Sequence, residues 1–253
     1  GTTWTQELVW LLMNDLDFKT AKEICVTKRF PYLEHVSLMP RAARQQAPDT
    51  IRLAADQPPP RLIKTHLPPA LLPRQLWTVK PKIIYVARSP KDAATSFYYH
   101  NCLIHGLTLS LDEYLECFLA DSVPFTPYWT NVLEFWKLRN EPNILWNTYE
   151  EMKQDLASVI RKTAAFLGRD VTEDQVRQLE EHLSFANMKD NPATNYSGVV
   201  QASRQRLHLP PATGDLSFMR EGKVGSAKQR MSPEMDRRFD QWISDNVRGT
   251  GYD

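Results

Sequence analysis

Cysteine is scarce in this chain of 253 residues. The three present, Cys25, Cys102 and Cys117, are too few and of the wrong parity to frame a disulfide-knit fold, and they suit a reducing compartment. No Cys/His spacing of a zinc site occurs. An excess of one charge is also lacking: 31 Lys plus Arg nearly cancel 30 Asp plus Glu, for a formal net charge of +1. That balance excludes an extended polyanion such as DNA as the main partner and requires any anion site to be local. No apolar run approaches the ~18 residues of a membrane-spanning helix. Internal repeats, low-complexity stretches and a Gly-Lys-Ser/Thr phosphate loop are missing too. The chain opens at Gly1 without an initiator methionine, as though cut from something longer, so the lack of a targeting segment excludes nothing.

What is present is a composition of 42% hydrophobic and 24% charged residues, enough to bury a substantial core as one large domain or two small ones. Trp4, Leu8, Val9, Leu11, Leu12 and Leu16 follow a 3.6-residue period, which predicts a helix capped by Thr2 or Thr3. Proline punctuates 28–60 into loop and short helices. Arg61 to Thr65 is expected to be a short strand stopped by Pro68 and Pro69. Ile83 to Ala87 reads as a strand buried on both faces, the signature of a parallel sheet. Helices are expected over 91–100, 111–119 and 128–139, the last with Trp129, Leu133 and Trp136 on one side. A strand at Asn143 to Trp146 then leads into a helix from Tyr149 to Leu167, closed by Gly168. A final helix spans 233–247. The alternation predicts an α/β fold with a parallel central sheet flanked by helices and ligands at the carboxyl ends of the strands.

Four segments carry candidate chemistry. Gly1-Thr2-Thr3-Trp4 at a helix mouth offers free backbone N–H groups, hydroxyls and the positive end of a helix dipole to a phosphate, although threonine caps helices commonly. Lys64 and His66, two apart at a strand end, can reach one site, the imidazole taking a proton from a substrate hydroxyl while the ammonium offsets negative charge. The alternative is a surface histidine beside a turn. The run 85–100 delivers Arg88 at the end of a buried strand and Ser96 two helical turns later, a pair able to bracket a phosphate; Arg88 is equally able to pair with Asp92 at the surface. Phe218 to Gly225 is a basic loop able to fold over an anion, or a solvated connection.

Taken together and in this order, GTTW, KTHLP, YVARSPKDAATSFYY and FMREGKVG resemble the cytosolic sulfotransferase family, as do NTYEEMK and SFANMKDNP. The resemblance covers nearly the whole chain. It implies a single sulfotransferase domain over 1–253 with a P-loop-like fold lacking its first strand. It further implies a cytoplasmic enzyme that moves the sulfuryl group of 3′-phosphoadenosine 5′-phosphosulfate (PAPS) to an acceptor and releases PAP, with no metal. On that pattern His66 is the general base and Lys64 a helper at the transferring sulfuryl group. Gly1, Thr2 and Thr3 hold the 5′-phosphate, and Trp4, Tyr149 and Phe185 contact the adenine. Arg88, Ser96, Arg220 and Gly222 hold the 3′-phosphate, with Met188 and Met219 completing the nucleotide site. The acceptor would be a small hydrophobic alcohol, phenol or amine in an apolar pocket near Tyr32, Phe97, Tyr98 and His100. Neither nucleic acid nor membrane is an expected partner.

The chain also departs from the pattern. It begins after the aromatic, proline and lysine that open the family's phosphosulfate loop, which predicts weak nucleotide binding and slow turnover. Glu221 stands where the family has a lysine and is expected to project outward, or to meet Lys223 or Arg230; Ser226-Ala227 replace an Asp-Trp pair. Residues 228–237 match the family's dimer motif only in part, which leaves a homodimer in question. Two alternatives keep the fold: a non-catalytic binder of nucleotide or hydrophobic ligand, and a dehydratase acting through a sulfonated intermediate, as in the related retinol dehydratase.

Overall fold

The computed structural model describes residues 1–39, 41–45, 47–213 and 216–252. Among them are two strands, β1 (Ile83–Ala87) and β2 (Ile144–Thr148), paired in parallel with Ile83 opposite Ile144 and Ala87 opposite Thr148. This small sheet is flanked by helices. Both carboxyl ends therefore lie side by side, β1 running into Arg88 and β2 into Tyr149. Proline at the first turn starts the helix Pro90–His105 after β1. Thr148 and Glu151 form a reciprocal cap that starts the helix Tyr149–Gln154 after β2.

The first helix, α1 (Thr2–Met13), begins at Gly1, with no side-chain cap. The expectation of a threonine cap is corrected: both threonines already lie inside the helix. A methyl group at Gly1 would meet Val86 at 2.7 Å and Tyr149 at 3.7 Å, so the helix mouth rests against the carboxyl edge of the sheet. Leu8, Leu11 and Leu12 of α1 are buried against Ile160, Ala164, Val176, Leu179 and Met188. A second core joins Ala94, Tyr114, Leu115 and Phe118 to Met231, Met235 and Phe239. Two residues of the partly matched dimer motif, Met231 and Met235, are thus buried in this chain's own interior.

Three other expectations change. The strand anticipated at 61–65 is a single parallel bridge between Tyr32 and Lys64, because the Gln57 side chain takes both the N–H and the C=O of Leu62 at 3.2 Å and prolines bound the segment. The helix expected over 149–167 is two, Tyr149–Gln154 and Leu156–Leu167. Asp155 breaks it by leaving the helical region at φ −148° and capping Ser158 N–H at 2.9 Å. Gly168, at φ 74°, closes the second as expected. On Tyr128–Lys137 the buried stripe is Trp129, Val132 and Phe135 rather than Trp129, Leu133 and Trp136. Trp242 packs on Trp129, with 5.7 Å between ring centroids. No helix among the described residues is long and apolar enough to cross a membrane.

Candidate active site

At the carboxyl ends of β1 and β2 lies a cavity of about 1750 Å³. Its wall includes Gly1, Thr2, Thr3 and Trp4 at the α1 mouth, Lys64 at the bridge and His66 two residues beyond it, and Arg88 and Ser96 after β1. It also includes Tyr149 after β2, Phe185 and Met188 from the short helix Phe185–Asp190, and Met219, Arg220 and Gly222 from the late loop. All fourteen candidate residues are brought together. Of the four acceptor-side candidates, Tyr32, Phe97 and His100 line the same cavity. Tyr98 does not: its hydroxyl donates to the carbonyl of Leu109 at 3.0 Å and its ring packs on Tyr114.

His66 is held by its backbone. Its N–H donates to the Glu34 carboxylate and its carbonyl accepts from Asn131 Nδ2 at 3.1 Å. The ring sits edge-on between Tyr32 and Phe125, at 5.5 and 5.2 Å. Burial, and then the charge of Lys64, push the imidazole down to about 3, so it is neutral near pH 7 and able to accept a proton. Lys64 lies over the Tyr32 ring at 4.5 Å. Burial lowers it to about 8, with Glu34 opposing the shift, so it remains mostly cationic at neutral pH.

The opposite end of the cavity is basic. The Arg88 guanidinium stacks over Tyr149 at 4.4 Å, lies 3.7 Å from Asp92 and donates to the Lys223 carbonyl at 3.4 Å. Its Nε is buried without a hydrogen-bond partner, as is Trp4 Nε1. The Arg88–Asp92 pair exists but is not superficial: Asp92 is 2% exposed. Its two oxygens accept from Gly225 N–H at 2.7 Å and Ala227 N–H at 2.9 Å, which ties the late loop to the helix after β1. Gly222 has φ 62°, and a Cβ there would come within 2.3 Å of the Phe185 ring. Only glycine lets this backbone approach so closely.

Glu221 does not project outward. Its Oε1 accepts from Arg220 at 2.8 Å and pairs with Arg230. Both guanidiniums lie near Tyr99, Arg220 4.0 Å above its ring, and this pair of cations turns the carboxylate inward. Burial would raise the Glu221 carboxyl, but the Arg230 hydrogen bond and the two positive charges outweigh it and hold the group below its usual value.

Residues 1–251 match the family model described as the sulfotransferase domain. The chain belongs to the sulfotransferase family. It is 43% identical to the luciferin sulfotransferase of Photinus pyralis, over its whole length and 70% of that protein. It is 36% identical to sulfotransferase 1B1 of Mus musculus, over 99% of this chain and 80% of that protein. Retinol dehydratase, solved with retinol and PAP, matches with a TM-score of 0.88 at 31% identity, covering 100% of this chain and 80% of that one. A second structure of it holds androsterone and PAP.

In this sulfotransferase several contributors escape sequence reading. Glu34 and Asn131, which pin the His66 backbone, lie in no motif quoted above; only the fold brings them there. Phe125 lies in none either, and Tyr99, although it ends YVARSPKDAATSFYY, is invisible there as the ring beneath Arg220 and Arg230. Asp92 stands inside the YVARSPKD motif, and its place one helical turn after Arg88 was the available signal.

Proposed function

We propose that this chain, acting as one domain, transfers the sulfuryl group of PAPS to a hydroxyl or amine of a small hydrophobic acceptor, with His66 as general base. The nucleotide supplies the activated sulfuryl group and leaves as PAP. Gly1, Thr2 and Thr3 hold its 5′-phosphate, helped by an α1 mouth whose hydroxyls are not spent on capping. Trp4, Tyr149 and Phe185 contact the adenine, beside Met188 and Met219. Arg88, Ser96, Arg220 and Gly222 hold the 3′-phosphate. The buried, unpartnered Arg88 Nε fits an anion at that place, as does the glycine-only approach at Gly222. The neutral His66 imidazole takes the acceptor proton as the acceptor oxygen bonds to sulfur and the bond from sulfur to the phosphate oxygen breaks. Lys64 offsets charge on the transferring group.

One observation carries the reading: residues from distant segments meet in a single cavity that is basic at the α1 and Arg88 end and aromatic around His66. The test is sulfation of a panel of phenols with PAPS by the wild type and by His66→Ala. We expect turnover to drop by ~10²–10⁴-fold in the variant; undiminished turnover ends the assignment. Likeness to retinol dehydratase keeps elimination as a second outcome with allylic alcohols, and product analysis separates a stable sulfate ester from a dehydrated product. Three free thiols agree with action in the cytoplasm.

A further inference from the structure

Arg206, the last residue of the helix Ser197–Arg206, lines the same cavity together with His35, His100 and His105. The four come from three separate stretches of chain. His100 and His105 face each other with 6.1 Å between rings. Two aromatic paths lead from this group to His66. His35 packs on Tyr32 at 5.7 Å, and Tyr32 packs on His66. His100 stacks on Phe97 at 5.9 Å, Phe97 meets Phe125, and Phe125 meets His66. The proposed base thus stands inside the cavity, one aromatic ring from His35 and two from His100, while His105 and Arg206 form an exposed end of the group.

Among the described residues no carboxylate pairs with that end. Among the described residues Arg206 forms no ion pair, and its Nη2 donates only to Ser203 Oγ at 3.2 Å. Among the described residues the three imidazoles have no side-chain hydrogen-bond partner. The carboxylates that line the cavity are engaged elsewhere, Asp56 with Arg52 at 3.4 Å and Glu221 with Arg220 and Arg230. Ser203 Oγ, which accepts from Arg206, donates in turn to the carbonyl of Ile104 at 2.7 Å, which sets the guanidinium beside His105. Burial is the main cause that lowers the basicity of His35 and His105; the Lys64 charge and then the Arg206 charge add to it at His35, and the Arg206 charge adds to it at His105. An anion entering here meets one permanent cation and imidazoles free to donate.

We propose that this end is a subsite for a carboxylate of the acceptor, so that the substrate is an amphipathic hydroxy acid with its hydroxyl at His66 and its carboxylate on Arg206, met by the neighbouring imidazoles. The inference rests on the sulfuryl-transfer reading for its placement of the hydroxyl. An apolar spacer between the two groups is required by the aromatic walls, and a neutral alcohol leaves Arg206, which is exposed, to water alone.

The experiment compares p-hydroxyphenylalkanoic acids of increasing chain length with their methyl esters, in the wild type and in Arg206→Gln. We expect one chain length at which the acid exceeds its ester on the order of tenfold in kcat/KM, mainly through KM. In Arg206→Gln that ratio falls to near one. Equal use of acid and ester at every length, or a preference that survives the substitution, overturns the subsite. Equilibrium binding of the same pairs in the presence of PAP, followed by tryptophan fluorescence, poses the question without turnover. Acid-selective binding lost in Arg206→Gln, with no sulfated product, keeps the subsite and removes the catalytic reading instead.

Discussion

Replacing Glu221 by glutamine is expected to tighten PAP binding. The carboxylate is ionised and held by two guanidiniums; the side chains are 12%, 24% and 26% exposed for Arg220, Glu221 and Arg230, so water screens the group only in part. A 3′-phosphate dianion held by Arg220 would lie about 6 Å from it. In a water-like dielectric that repulsion is ~1.4 kcal/mol, reduced by salt and increased by the low-dielectric wall. Against it stands the loss of two partly exposed ion pairs that preorganise the arginines, worth about 0.5 kcal/mol. The net is about 1 kcal/mol, or roughly fivefold in Kd. Calorimetry of PAP and of adenosine 5′-phosphate against wild type and Glu221→Gln reads it directly. The gain should appear for PAP alone, because only PAP carries the 3′-phosphate, and it should shrink as ionic strength rises. If Glu221→Gln weakens PAP, or tightens both nucleotides alike, the carboxylate is a positioning group for the arginines and not a competitor of the phosphate.

Lys64 loses its proton near pH 8, so its contribution is complete below that value and disappears above it; His66, near 3, stays neutral down to about pH 4. A pH–kcat/KM profile should therefore fall on the alkaline side around pH 8, and Lys64→Arg, whose guanidinium keeps its charge, should move that fall to higher pH. Gly222→Ala puts a methyl group into the Phe185 ring at a left-handed φ, which should cost ~1 kcal/mol or more of local order and weaken PAP binding in calorimetry without lowering the thermal midpoint of the whole chain to the same degree. Glu7 is fully buried between Arg29, at 2.6 Å, and His182, at 2.7 Å. Glu7→Ala strands a buried arginine and should destabilise by about 3–5 kcal/mol in chemical denaturation.

Much of the secondary structure was legible because local rules govern it. The apolar run Ile83–Ala87, half-buried up to Ala87 rather than buried on both faces as expected, the 3.6-residue period of Thr2–Met13 and the glycine that closes Leu156–Leu167 each act over a few residues. Breaks were less legible. Asp155 interrupts a continuous helical pattern, and Gln57 converts an expected strand into a pinned loop, because each side chain competes for backbone groups that the pattern assigns elsewhere.

By itself the sequence determined the two paired strands, most of the longer helices and the four chemistry-bearing segments, since these follow from residue type and short-range spacing. Only the tertiary structure decided which of those side chains share a space, because that depends on contacts between residues far apart in the chain. Asp92 clasping Gly225 and Ala227, Glu34 and Asn131 gripping the backbone of His66, and Glu221 turned in between Arg220 and Arg230 are all of this kind. A carboxylate's direction is set by whichever cation the fold brings nearest, and no local pattern encodes that distance.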